Sequence, residues 1–212
     1  MPTGSACWST ARQRRATTGV CRAVCTPPSC ARPRSSRTST CVPPVAWTAL
    51  FKALATSDWV REHQHLAITG PTGTGKSWLA CAHGHKACRD GFSVIYKRAP
   101  RLFADLAQAR GEGRLSRFMT TIERANLVII DDWGPEPLNA DQRRDLLEIV
   151  DHRYDRGSLL ITSQVPVSSW HDIIGDPTLG DAILDRVLHT AHRIEVKGDS
   201  LRRQAAAAKS PA

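Results

Sequence analysis

The sequence predicts an α/β domain, a doubly wound parallel sheet flanked by helices, on three observations. Short apolar runs alternate with helix-period segments five times between Leu66 and Val196. A glycine-rich loop, Gly70-Pro71-Thr72-Gly73-Thr74-Gly75-Lys76-Ser77, joins the first of those runs to a helical segment. A continuous apolar run, Leu127-Val128-Ile129-Ile130, ends in Asp131-Asp132, as expected of a central strand covered on both faces.

The elements follow in chain order. Leu50, Phe51 and Leu54 open an amphipathic helix that reaches about Val60. Leu66–Thr69 is the first strand, and the helix after the glycine loop stops at Asp90-Gly91. Ser93–Tyr96 is the second strand. Pro100 opens a helix with Leu102, Phe103 and Leu106 on one face, which Gly111-Glu112-Gly113 breaks. Leu115, Phe118, Met119 and Ile122 recur at helical spacing and predict another. After the strand Leu127–Ile130, Asn139-x-x-Gln142 has the pattern of a capping box for a helix with Leu146, Leu147, Val150 and Tyr154 on its buried side. Ser158–Thr162 is a further buried strand. Leu179, Ile183, Val187 and Leu188 mark a helix, and Ile194–Val196 a short last strand. Residues 47–203 therefore read as one domain, and 204–212 as a tail.

Residues 1–46 differ in composition. They contain no Leu, Ile or Phe, so they cannot build a core, yet they hold five of the seven cysteines and six of the thirteen prolines. Disulfides among Cys7, Cys21, Cys25, Cys30 and Cys41 would require an oxidising compartment. A zinc site would require ligand spacings that these cysteines do not show. A targeting peptide would require an amphipathic helix, which Pro27-Pro28 and Pro43-Pro44 oppose. The remaining reading is a low-complexity Arg/Ser/Pro/Cys-rich segment that is disordered or translated out of frame.

The formal charge of +9 is concentrated in this same part of the chain. Between residues 1 and 57 there is no Asp or Glu, against seven Arg and Lys52; the remaining residues are nearly balanced, 21 basic to 20 acidic side chains. Bulk charge therefore gives no argument for nucleic-acid binding by the α/β domain. No apolar run is long enough to span a membrane, which leaves a cytoplasmic, non-membrane protein as the expectation.

The glycine loop matches G-x-x-x-x-G-K-[ST] in full. Gly70, Gly73 and Gly75 allow the bends that turn successive N–H groups into one concavity, and the following helix adds its positive end. Pro71, Thr72 and Thr74 complete this Walker A loop. Lys76 is placed to reach the β- and γ-phosphates of ATP, and the Ser77 hydroxyl to ligate Mg²⁺. Asp131, 55 residues after Lys76 at the C-terminal end of a buried strand, is placed to supply a carboxylate to the same metal shell. Asp132 is placed to orient the attacking water. Thr162-Ser163-Gln164 ends the next strand with groups that could bond the γ-phosphate or the water, or simply finish a strand before Pro166. Arg186, on a late helix, is either a solvated arginine or one offered to a neighbour's γ-phosphate.

These motifs, with Leu160-Ile161-Thr162-Ser163-Gln164-Val165-Pro166 and the segment Gly175–Arg186, closely resemble the IstB-like transposition helper ATPases, bacterial AAA+ proteins of insertion sequences related to the DnaC-type helicase loaders. The resemblance runs from about Leu50 to Arg203. It implies an AAA+ core with a five-stranded parallel sheet and no separate helical lid. It implies that Asp131 is the Walker B metal ligand, that Asp132 stands where most AAA+ proteins carry a catalytic glutamate, that Ser163 or a neighbour is sensor 1, and that Arg186 is a finger acting on the adjoining subunit. It further implies ATP hydrolysis, a homo-oligomer assembled on DNA, and a transposase partner. The region ahead of Leu50 departs from the family's helical segment, which puts engagement of the transposase in question.

On the helix Arg114–Arg124 the apolar side chains cluster in one direction, with Arg114, Arg117 and Arg124 roughly opposite and Arg98, Arg101 and Arg110 just upstream. Such a face would grip a DNA backbone without reading sequence, or would simply be solvated. A DnaC-like loader, an inactive remnant and a P-loop kinase are the alternatives to a transposition helper.

Overall fold

The computed structural model describes residue 54 and residues 56–201. The segment 1–46, the tail 204–212 and residues 50–53 and 55 of the expected helix from Leu50 lie outside them. Thirteen elements follow in order: α1 Asp58–Arg61, β1 His65–Thr69, α2 Lys76–Arg89, β2 Val94–Arg98, α3 Ala99–Gly111, α4 Leu115–Glu123, β3 Leu127–Trp133, α5 Ala140–Arg153, β4 Ser158–Ser163, a 3₁₀ turn Val167–Ser169, α6 Trp170–Ile174, α7 Pro177–Leu188 and β5 Ala191–Glu195. The five strands pair in parallel in the order β2-β3-β4-β1-β5. The expected five-stranded α/β architecture is therefore present.

Strand alternation divides the interior into two layers. On one face Leu66, Ile68, Leu127, Ile129 and Leu160 meet Leu79, Ala80 and Ala87 of α2. On the other, Val128, Ile130, Leu159 and Ile161 meet α3, α4, α5, α6 and α7 through residues such as Leu102, Met119, Leu146, Trp170 and Ile183. The central strands carry apolar side chains toward both layers, which is why they read as unbroken apolar runs.

Several boundaries move. β3 continues through both aspartates to Trp133, and its register with β4 shifts between Ile130 and Trp133. The bulge follows from Asp132, whose backbone is left-handed at φ 61. β2 runs to Arg98 and β5 begins at Ala191. The turn Val167–Ser169 and the helix Trp170–Ile174 escape sequence reading because five residues are too few to show a period; the buried Trp170 anchors them, and its indole N–H donates to the Val165 carbonyl at 3.1 Å. The capping box is present as expected: Asn139 accepts the Gln142 amide, and the Gln142 side chain accepts the Asn139 amide, both at 2.9 Å.

At the opposite end of the sheet from the glycine loop, Arg153 is 1% exposed. Its guanidinium donates to the carbonyls of Ile122, Ala125, Asn126 and Ser158 at 2.7–3.0 Å, tying α4, β3 and β4 to α5. Burial lowers its pKa to about 10.

Candidate nucleotide site

The loop between β1 and α2 is built by its glycines. Gly70, Gly73 and Gly75 have φ of 146°, 86° and 94°, which side-chain-bearing residues rarely adopt. Two of them also have no room for a Cβ. One added at Gly70 would lie 2.2 Å from the Val196 carbonyl oxygen, and one at Gly73 would lie 2.2 Å from Ser200 Oγ. The cause is the segment after β5. It runs along the loop, with the Val196 amide donating to the Thr69 carbonyl at 2.7 Å and the Leu201 amide to the Gly73 carbonyl at 3.0 Å. Nothing in the sequence pattern foretells this strap. Gly75 is the N-cap of α2; no side chain caps that end and no acid lies in the first turn, so its amides and positive dipole suit an anion.

Lys76 is 8% exposed and its ammonium donates to the carbonyls of Gly70 and Pro71, both at 2.7 Å. Thr74 braces the same turn, donating to the Pro71 carbonyl at 2.9 Å. The loop thus encloses a cation at its centre. Ser77 Oγ donates to Asp131 Oδ1 at 2.9 Å, so the first turn of α2 meets the tip of β3. Asp131 is 3% exposed and accepts two further hydroxyls, Thr162 on Oδ1 and Tyr96 on Oδ2, the latter at 2.6 Å.

The set fits a magnesium–triphosphate. Mg²⁺ is held by one or two carboxylates with hydroxyls, waters and substrate phosphates, not by an all-protein cage. Ser77 and Asp131 are hard oxygen donors hydrogen-bonded to each other beside Lys76 and the uncapped N-terminus of α2. Among the described residues there is no cluster of three or more His, Cys, Asp or Glu able to hold a metal alone.

Asp132 faces differently from Asp131. The bulge turns its carboxylate to Arg98, 2.5 Å from Oδ2, and to Gln164, whose amide donates to Oδ1 at 3.1 Å. Its own amide donates to Thr162 Oγ1 at 3.0 Å. Gln164 in turn accepts the Thr72 hydroxyl, so one chain of hydrogen bonds links the loop, β4, Asp132 and β2. The hydrogen bond and charge of Asp132 raise the Arg98 pKa further.

Ser163, expected as the sensor, is not among the side chains brought to the loop. It is fully buried, its hydroxyl donating to the Trp133 carbonyl at 2.8 Å and accepting the Val165 amide at 3.0 Å. The reason is strand parity: Thr162 shares the face of Asp131, so Ser163 turns to the other layer. Gln164, just past the strand, is the residue of this segment whose side chain bonds Thr72 of the loop and Asp132. Arg186 lies on α7, with Nε 2.6 Å from Asp151 of α5 and Nη1 donating to the Ala182 carbonyl; its bonds go to no loop residue of its own chain.

The expected basic face is partly neutralised. All six arginines are exposed; Arg98, Arg101, Arg110 and Arg114 pair with Asp132, Asp105, Asp145 and Glu112, whereas among the described residues no ion pair involves Arg117 or Arg124. Tyr96 and Arg98 bond the two aspartates from β2; the sequence does not single out Tyr96, and it marks Arg98 only as part of the basic face. Their only shared signal is an i, i+2 spacing at the end of a strand, and it gains meaning once β2 is known to neighbour β3.

Residues 45–209 match the family described as IstB-like ATP binding protein. The insertion sequence ATP-binding protein y4pL of Sinorhizobium fredii is 62% identical over 155 residues, covering 73% of this chain and 63% of that protein. The related protein y4uH of the same organism is 53% identical over 154 residues, 73% of this chain and 62% of its own length. The chain thus spans somewhat under two thirds of these relatives. Among solved structures, the DnaC helicase loader superposes with a TM-score of 0.57 at 22% identity, over 70% of this chain and 88% of that one, a likeness of fold.

Proposed function

Because the chain belongs to the IstB-like ATP-binding protein family, we propose that it is an ATP-hydrolysing helper of DNA transposition. The observation that carries the nucleotide part is the hydrogen bond from Ser77 to Asp131 at 2.9 Å beneath the amide-lined loop. The transposition part rests on the relatives, which are named as insertion sequence ATP-binding proteins.

ATP is the substrate, its phosphates lying along the amides of 72–77 with Lys76 exchanging its two carbonyl partners for phosphate oxygens. Ser77 and Asp131 hold Mg²⁺, which when bound neutralises charge on the phosphates. Asp132 orients water against the terminal phosphate; Arg98 and Gln164 fix its carboxylate for that task. Gln164, bonded to both Thr72 and Asp132, takes the sensor role expected of Ser163. Arg186 serves the site of an adjoining copy: it leaves Asp151 and meets the γ-phosphate across an interface, so turnover requires a homo-oligomer. DNA is held through its backbone, with Arg117 and Arg124 as exposed cations, and a transposase is the protein partner. Cytoplasmic ATP supplies the reaction. No described helix is long and apolar enough to cross a membrane.

Phosphate release from ATP, followed against protein concentration with and without duplex DNA, tests the proposal. Release that rises more steeply than linearly with protein, is stimulated by DNA, and is lost in Arg186→Ala but restored by mixing with Lys76→Ala supports it. Transfer of the γ-phosphate to an added small acceptor would make the protein a kinase. Release linear in protein and indifferent to Arg186 would refute the shared site.

A further inference from the structure

Asp131 is a buried carboxylate whose three hydrogen bonds all come from hydroxyls, and these are divided unequally between its oxygens. Oδ1 accepts Ser77 and Thr162; Oδ2 accepts Tyr96 alone, at 2.6 Å. The carboxylate torsion of an aspartate is a broad, two-fold rotor. With both other hydroxyls on one oxygen, the donor on the far oxygen fixes the plane of the carboxylate and so the direction in which Oδ1 faces Ser77. The strand register makes this possible. Tyr96 lies opposite Ile129 and Arg98 opposite Asp131, so Tyr96 shares the face of Asp131 one pleat earlier, and its ring reaches up the strand. The ring itself packs at the edge of the layer beneath α2. A phenylalanine would fill the same space and leave Oδ2 without its donor.

We propose that Tyr96 is a positioning residue for the metal carboxylate: it fixes Asp131 so that Oδ1 and the Ser77 hydroxyl form one preset oxygen pair for Mg²⁺. The proposal rests on the nucleotide reading above. Groups that orient a ligating carboxylate are worth about 10–100-fold in metal affinity. Tyr96 acts on the metal and not on the phosphate loop, so its removal leaves metal-free nucleotide binding unchanged.

The test is binding of a fluorescent ATP analogue to the full chain, in EDTA and across a Mg²⁺ series, for the parent and Y96F, with thermal unfolding as the fold control. Y96F should bind the analogue in EDTA as the parent does. Its midpoint in Mg²⁺ should rise about tenfold. In a D131N background the same substitution should shift nothing, because the phenol acts through Asp131; a merely structural loosening of β2 would add to D131N. Where Y96F does not fold, Y96M removes the hydroxyl with a more adaptable side chain and should shift the midpoint equally. Coincident Mg²⁺ curves for variant and parent, or effects that add in D131N, overturn the positioning role while leaving the nucleotide site intact. A parent whose binding ignores Mg²⁺ overturns both.

Discussion

His65 makes the folded domain sensitive to mild acid. It is the first residue of β1, 2% exposed, and its Nδ1 accepts the Leu159 amide of β4 at 3.1 Å. That bond requires a neutral ring. Burial, with the nearby Arg153 charge as the second cause, lowers its pKa from 6.5 to about 4; the Gln64 backbone and Asp155 oppose the shift more weakly. In the unfolded chain the ring titrates near its ordinary value, so between pH 6.5 and 4 the unfolded state binds more protons. Stability therefore falls as pH drops through that window. For a shift of this size the loss between pH 7 and pH 5 is about 2 kcal/mol from His65 alone. His65→Asn keeps an acceptor for Leu159 and removes the titration. Urea unfolding at pH 7 and pH 5 is the assay. The parent should lose about 2 kcal/mol more than the variant between the two pH values. Parallel losses in parent and variant would refute the assignment of a neutral buried His65. His83, lowered to about 4 chiefly by burial, contributes in the same direction in both proteins and cancels from the comparison.

Gly70→Ala should impair the site through the strap as well as the loop: with φ 146° and the Val196 carbonyl 2.2 Å from the new Cβ, about 1–3 kcal/mol of strain should appear as a lower thermal midpoint together with weakened nucleotide binding. Arg153→Met removes the donor of four backbone carbonyls, three of them in buried bonds, and should cost about 3 kcal/mol in urea unfolding. Arg117→Ala with Arg124→Ala should weaken DNA binding and flatten its salt dependence, by about 0.9 in the log–log slope for each phosphate no longer neutralised; unchanged slopes would place the DNA surface elsewhere.

Most of what positions the site is legible in local sequence, because local rules determine it. The loop residues from Gly70 to Ser77 need only their own backbone geometry, and the run Leu127–Ile130 announces a buried strand whose tip must carry Asp131. The box at Asn139 and Gln142 likewise joins residues three apart. What escapes depends on neighbours chosen by the sheet. Tyr96 and Arg98 become site residues because β2 lies beside β3, and strand order is not written in strand composition. Ser163 and Gln164 differ by one residue, and in a strand one residue is a change of face, so which of them turns to the loop cannot be read without the register of β4. The strap from Val196 to Leu201 has no periodicity at all; its only trace is that Gly70 and Gly73 must be glycine for a second reason.

The central claim is that the glycine loop, Lys76, Ser77 and Asp131 form one binding site for magnesium–ATP. Calorimetric titration of ATP with Mg²⁺ into the parent chain and into Lys76→Ala tests it most directly. Binding to the parent should be saturable and should weaken about tenfold to a hundredfold or more in Lys76→Ala, the worth of a charge-assisted bond to phosphate, with the variant's thermal midpoint showing that it remains folded. Equal affinity in the two proteins would contradict it.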